Sequence, residues 1–151
     1  MVNTLTSEEI EAVLKENVLG RLGCNDGFNT YVFPVNYLYD GKYILCHSLP
    51  GFKIQVMREN KRVCLLVDEV ADFTNWTSVM VLGEYQELYD KRERYLAMKA
   101  FIKHMLHIKI TDTALFTQLN KTKNAYTNTI GCKPVIYRIA INEKTGKYEA
   151  T

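Results

Sequence analysis

Residues 31–53 read YVFPVNYLYDGKYILCHSLPGFK, and the fold turns on how this stretch bends. Its first half alternates as a strand does, Asp40-Gly41 offers the positive-φ pair of a tight turn, and Tyr43 to Cys46 returns as a second strand. A β-hairpin is the expectation. Pro34 interrupts the outgoing strand, and because proline has no N–H for a ladder it belongs at a sheet edge or a bulge. Neighbouring backbone groups are then left for something other than a strand. Past Cys46 come His47, Ser48, a Leu49-Pro50-Gly51 bend and Lys53, which opens the short helical segment IQVMREN. First-turn N–H groups of a helix are unpaired and sit at the positive end of its dipole, so imidazole, hydroxyl and ammonium groups beside them form a candidate anion site. An ordinary polar turn has the same spacing, and the residues alone leave both readings open.

Before this stretch, Thr6 and Glu9 have the form of a capping box, with Ile10, Val13 and Leu14 on one face of a helix that ends near Asn17. Gly20 to Cys24 is a short strand closed by Asn25-Asp26-Gly27, and Thr30 to Tyr39 is its long partner. After it, Arg62 to Val67 is a continuous apolar run, read as a central strand ending at Asp68-Glu69. A polar loop, Ala71 to Asn75, leads to a long strand from Trp76 to Leu88, in which Gly83 marks a bulge or a close backbone approach. Asp90 and Glu93 repeat the capping box ahead of the longest helix, whose apolar seam is Tyr95, Met98, Ile102, Met105 and Leu106. Ile108 to Gly131 reads as a threonine-rich loop with a short helix near Ala114 to Leu119. Pro134 to Ile141 is the last strand, and Glu143 to Lys147 turns away from it. About six strands with a long helix before the last exclude a parallel βαβ fold and point to an antiparallel barrel with helical additions.

The composition, 47% hydrophobic and 24% charged, is that of a soluble globular chain, and 151 residues predict one domain, 1–151. No run has the apolar length of a membrane span, and the N-terminus lacks the basic and apolar regions of a signal peptide, so a cytoplasmic protein without membrane association is expected. The net charge of +2 arises from 19 basic and 17 acidic residues that are intermixed, which leaves no footprint for nucleic acid. Cys24, Cys46, Cys64 and Cys132 form no CxxC pair and read as buried reduced thiols. His104 and His107 stand at i, i+3 on the long helix, but no carboxylate or thiol joins them, so no metal site is expected.

In order, GRLGCNDG (20–27), YVFPVNYLYDGKYILCHS (31–48), PGFK (50–53), VCLLVDE (63–69), WTSVMVLGEYQEL (76–88) and VIYRIAINEKTGK (135–147) resemble the pyridoxamine 5'-phosphate oxidase-like flavoproteins, most closely their nitroimidazole-reductase-like branch. The resemblance runs over roughly residues 15–149. It implies a mainly β fold, a six-stranded antiparallel split β-barrel that forms a homodimer and holds FMN in two clefts at the subunit interface. Pro34, Val35 and Asn36 match the strand that meets the flavin ring edge, and His47, Ser48 and Lys53 match an HSxxxxK phosphate site. Trp76 and Ser78 match a W-x-S-V motif that approaches the flavin from the other subunit. Phe52 stands where many relatives have a basic residue, which implies weaker phosphate binding. The implied activity is an FMN-dependent oxidoreductase that takes electrons from NAD(P)H or another donor and reduces a small oxidised substrate, with His47 as a catalytic proton donor or as a phosphate ligand. The alternative is a flavin- or haem-binding protein without turnover. Oxidation of pyridoxamine phosphate itself is disfavoured, because no second arginine cluster is available for the substrate's phosphate.

Overall fold

Six strands of six or more residues carry the architecture of this computed structural model, which describes residues 1–107 and 133–151. In chain order the elements are β1 (Asn3–Thr4), α1 (Ser7–Glu16), β2 (Leu19–Asn25), β3 (Thr30–Asn36), β4 (Leu38–Tyr39), β5 (Tyr43–Ser48), α2 (Phe52–Glu59), β6 (Arg62–Asp72), β7 (Asn75–Glu87), α3 (Lys91–His107) and β8 (Val135–Glu149). They form one antiparallel sheet in the order β3-β2-β6-β7-β8-β5-β4, with β1 paired to β8. The expected fold class holds: the fold is mainly β, an antiparallel split barrel. The sheet curls around its core without closing, since β3 and β4 end the path. The expected loop and short helix between 108 and 131 lie outside the described residues, as does Cys132.

Side chains alternate along the strands, and the inward set makes one core. Leu14, Leu22, Tyr37, Ile44, Ile54, Met57, Leu65, Val67, Val79, Val81, Tyr137 and Ile139 are all fully buried. Thr6 caps α1 through a reciprocal capping box with Glu9, which directs Ile10, Val13 and Leu14 onto this core. β6 is central as the apolar run predicts, between β2 and β7, and Pro34 lies on the edge strand β3 as its missing donor requires.

Four local expectations are corrected. The strand leading into the hairpin breaks at Tyr37, whose N–H donates to Val18 O (2.8 Å) and whose hydroxyl donates to Leu14 O (2.8 Å), so β3 pairs with β2 and only β4 pairs with β5. At the turn itself Gly41 alone has positive φ (94°), and Asp40 instead accepts from the N–H groups of Lys42 and Tyr43. Residues 143–147 do not turn away; β8 pairs with β7 as far as Glu149. Asn142 and Gly146 look like turn residues but do other work: the register slips past Asn142 opposite Gly83, and a Cβ on Gly146 would strike Leu5 and Ile10. In α3 the buried seam is Ala97 and Phe101, whereas Tyr95, Ile102 and Leu106 are exposed.

Candidate functional site

His47 and Ser48 are the last residues of β5, paired with Ile136 and Val135 of β8. Leu49 and Pro50 carry the chain to Gly51, the N-cap of α2, and burial of Ile54, Val56 and Met57 fixes the start of that helix against the barrel. Gly51 makes no side-chain cap and the first turn holds no acidic residue, so among the described residues no side chain takes up the first-turn N–H groups. Lys53 Nζ lies 5.3 Å from the centre of the Phe33 ring, and among the described residues no carboxylate is in ion-pair contact with it. Phe52 meets Tyr31 edge to face, with ring centres 5.0 Å apart. Ser48 Oγ donates to Leu49 O at 2.9 Å. The corner thus joins His47, Ser48 and Lys53 to the aromatic side chains of β3.

His47 leaves β5 on the face opposite to buried Cys46, towards α3, where the Phe101 ring meets the imidazole edge-on at 4.6 Å. Burial pushes its pKa below the ordinary value, and the Lys53 ammonium adds to the effect. On the inner face, burial raises the Cys46 thiol to about 12, although the Tyr137 hydroxyl and Lys53 counteract it. Tyr137 is itself pushed well above the ordinary phenol range by burial. Neither is an available nucleophile at neutral pH. Phe33 and Phe101 went unnoticed in the sequence. The signal for Phe101 was its i, i+4 spacing from Ala97, which competed with the longer apolar seam beside it.

Pro34, Val35 and Asn36 pair with Arg21, Gly20 and Leu19 of β2, and among the described residues no strand pairs with the other edge of β3. Val35 is buried, while Pro34 and Asn36 face outward. Trp76 and Ser78 are elsewhere. They open β7 opposite Glu149 and Lys147, and Trp76 Nε1 donates to Glu149 Oε2 at 3.3 Å. The far end of β7, Glu87, pairs with Tyr137, which also pairs with Cys46. At about 3.3 Å per residue, Trp76 is about 35 Å along the strand from that end. One chain brings together His47, Ser48 and Lys53 but not Trp76 and Ser78. Two open depressions lie near the Trp76 end, one bordered by Leu5, Glu9, Val13 and Glu69, the other by Val70, Trp76 and Glu149; neither reaches the Lys53 corner.

The sequence model for pyridoxamine 5'-phosphate oxidase matches residues 6–148. The chain belongs to that family. A curated relative, the uncharacterised protein RA0666 of Rhizobium meliloti (strain 1021), is 39% identical over 87 residues, 58% of this chain and 58% of that protein, so the matched part spans less than two thirds of the relative. A FAD-binding protein of Mesorhizobium loti, mll6688, aligns over 100% of this chain and 98% of its own, at 31% identity and a TM-score of 0.73. A candidate 5-nitroimidazole antibiotic resistance protein of Bacteroides thetaiotaomicron aligns at 20% identity and a TM-score of 0.72, over 98% of this chain and 87% of its own. The FAD-binding protein of Mycobacterium smegmatis aligns at 17% identity and 0.63, over 97% and 98%. The last two likenesses establish the shared split-barrel fold.

In this pyridoxamine 5'-phosphate oxidase family barrel, the Lys53 corner fits a phosphate ester. It offers an ammonium group that meets no carboxylate among the described residues, a helix start without a side-chain cap and a hydroxyl that need only turn from Leu49 O. A metal fits less well, for among the described residues no three His, Cys, Asp or Glu side chains come together.

Proposed function

We propose that this chain is a flavin-dependent oxidoreductase that binds the FMN moiety through Ser48, Lys53 and the start of α2. The single observation that carries this reading is the Lys53 ammonium, held over Phe33 at a helix start without a side-chain cap, with no carboxylate in ion-pair contact among the described residues. The edge of β3 at Pro34, Val35 and Asn36, which no described strand pairs with, is offered to the ring of the flavin, which when bound supplies the hydride or electron transfer. His47 has two available roles, completing the phosphate site or giving a proton to the substrate. A small oxidised substrate such as a nitroaromatic or quinone, with NAD(P)H or another donor, suits the reading. It also agrees with the FAD-binding Mesorhizobium protein of the same fold.

The reading includes a homodimer, with Trp76 and Ser78 reaching the other subunit's site. Leu19, Val32, Met80 and Leu82 point outward from β2, β3 and β7 and are 37–66% exposed, apolar side chains that a second barrel would cover. Light scattering is expected to give twice the chain mass of 17.5 kDa. A cytoplasmic setting is consistent with Cys24, Cys46 and Cys64, all free thiols.

The test is titration with riboflavin, FMN and FAD, followed by NAD(P)H reduction and reoxidation by a nitroaromatic or quinone. Riboflavin binding as tightly as FMN would remove the phosphate site. A flavin reoxidised no faster by any such substrate than by oxygen would leave the second reading, a flavin or haem carrier without turnover. One observation favours that second reading: Phe101 covers His47 from the side of α3.

A further inference from the structure

We infer that Arg138, Lys42 and Tyr43 form a second anion site, on the outer face of the barrel, that takes a phosphate monoester, whether of a mononucleotide or of a phosphorylated dinucleotide such as NADPH. Tyr137 and Ile139 fill the core, so Arg138 between them points outward. On that outer face Tyr43, Ala140 and Glu84 form one rung across β5, β8 and β7, and Leu45, Arg138 and Gln86 form the next. The rung after it lies under α3, where Phe101 meets His47 and Ala97 packs with Leu88 and Ile136. Arg138 thus stands in the middle strand beside the helix-covered rung, and Ala140 puts only a methyl group into the space between Tyr43 and Glu84. Tyr43 and His47 are four residues apart on one face of β5, about 13 Å at the rise of a strand. The groups are therefore separate from the Lys53 corner.

Arg138 Nε donates to Gln86 Oε1 at 2.9 Å, and its guanidinium carbon lies 4.0 Å from the centre of the Tyr43 ring. One hydrogen bond and one ring face fix the guanidinium plane. Neither Nη group is committed to a described residue. Lys42 Nζ lies 5.3 Å from the centre of the same ring, and among the described residues neither cation is in ion-pair contact with a carboxylate. Asp40 spends Oδ1 on the N–H groups of Lys42 and Tyr43, and Glu84 forms no ion pair among the described residues. Two cations drawn to one ring repel each other, and an anion of double charge between them removes that repulsion. A phosphate monoester carries about 1.5 to 2 negative charges at neutral pH, and two of its terminal oxygens match the fork of the Nη groups. A carboxylate or a phosphate diester brings only one charge.

The experiment is calorimetric titration of the full chain with adenosine, AMP, NADH and NADPH, for the wild type, Arg138→Gln, Arg138→Lys, Lys42→Ala and Lys53→Ala. In the wild type the added monoester is expected to tighten binding about tenfold or more, AMP against adenosine or NADPH against NADH. A gain in the first pair alone assigns the site to mononucleotides, and a gain in the second alone assigns it to a dinucleotide donor. Arg138→Gln should abolish the gain, and Arg138→Lys, which keeps the charge without the fork, should retain part of it. Lys42 is exposed in a turn, so Lys42→Ala reduces the gain with the fold intact. Lys53→Ala should leave the gain whole. No gain in either pair overturns the inference, and so does a gain that survives both Arg138→Gln and Lys42→Ala. A gain lost only in Lys53→Ala overturns it too, because the monoester then sits at the flavin corner. The flavin reading is judged apart from all of these results, by FMN against riboflavin.

Discussion

The two ends of strand β7 differ in whether their own chain satisfies them. At the Glu87 end, Arg58 donates twice to the carboxylate at 2.8 and 3.0 Å, Tyr85 donates at 2.6 Å, and the Glu87 side chain is only 7% exposed. Burial works against the charge on Glu87, but the hydrogen bonds from Arg58, Tyr85 and Tyr89 outweigh it and keep the carboxyl below its usual range. At the other end Val70 is 64% exposed, Phe73 at the turn 90%, and the Trp76 indole has one long hydrogen bond, to Glu149. The first end is finished within the chain. The second presents apolar and aromatic groups outward. The candidate site divides the same way: His47, Ser48 and Lys53 belong to the finished side, Trp76 and Ser78 to the open one.

The most damaging way to break this arrangement is to disturb the point that joins the two ends. Gly83 faces the register slip between β7 and β8, and a Cβ there would overlap the Ala140 carbonyl and Ile139. Gly83→Val is expected to cost about 3 kcal/mol or more, because the clash is with backbone in a ladder that cannot shift locally. Urea unfolding should show a lower midpoint with an unchanged slope. A loss below about 0.5 kcal/mol would mean that the ribbon is pliable at the bulge and that its two ends are not held apart.

A smaller effect sharpens the comparison at the level of the site. Lys53→Ala removes a charge-assisted contact and should weaken FMN by about 1.5–3 kcal/mol, roughly tenfold to hundredfold. Trp76→Ala should also weaken FMN, although its position is far along β7 from Lys53. The decisive measurement uses hybrid dimers, purified after co-expression with two tags, in which one subunit carries Lys53→Ala and the other Trp76→Ala. If the two ends serve different sites, one site per hybrid keeps both residues and regains wild-type affinity. If they serve the same site, both remain impaired and no tight site is recovered.

Much of this was legible in the sequence where local chemistry and tertiary packing agree. The Thr6-Glu9 box, the apolar run of β6 and the edge position of Pro34 each follow from one physical requirement that nothing else in the chain opposes. Legibility failed where a residue had two uses. Asn142 and Gly146 have turn chemistry, yet a strand partner along the whole of β7 and the close approach of α1 recruit them into β8. In α3 the sequence offers two apolar seams; the small side chain of Ala97 lets Phe101 approach the sheet, and the bulkier seam is left outside. The His47–Phe101 contact depends on that choice, which the spacing of apolar residues does not make. His47, Ser48 and Lys53 could be grouped beforehand because they lie close together in the sequence. Phe33 was not, since only the fold of β3 against α2 brings it beneath Lys53.

The smallest expected effect concerns His47 and asks whether the finished end is finished by its own chain alone. Its folded pKa is lowered, by burial first and by Lys53 second. Above the unfolded value of about 6.5, both states hold a neutral imidazole and the folded state has its full stability. As pH falls below about 6.5 the unfolded chain takes up a proton that the folded one resists, so stability is lost on acidification. Unfolding midpoints followed from pH 7.5 to 5.5 should therefore fall more for the wild type than for His47→Gln. Phe101→Ala, which uncovers the imidazole to water, should lie between them. Because Phe101 and His47 share a chain, the His47 contribution should not change across a dilution series, while the fluorescence of Trp76, the sole tryptophan, should change as subunits part. A His47 contribution that varied with dilution would place the burying contact in the partner subunit, and the contrast between the two ends of β7 would fail at this point.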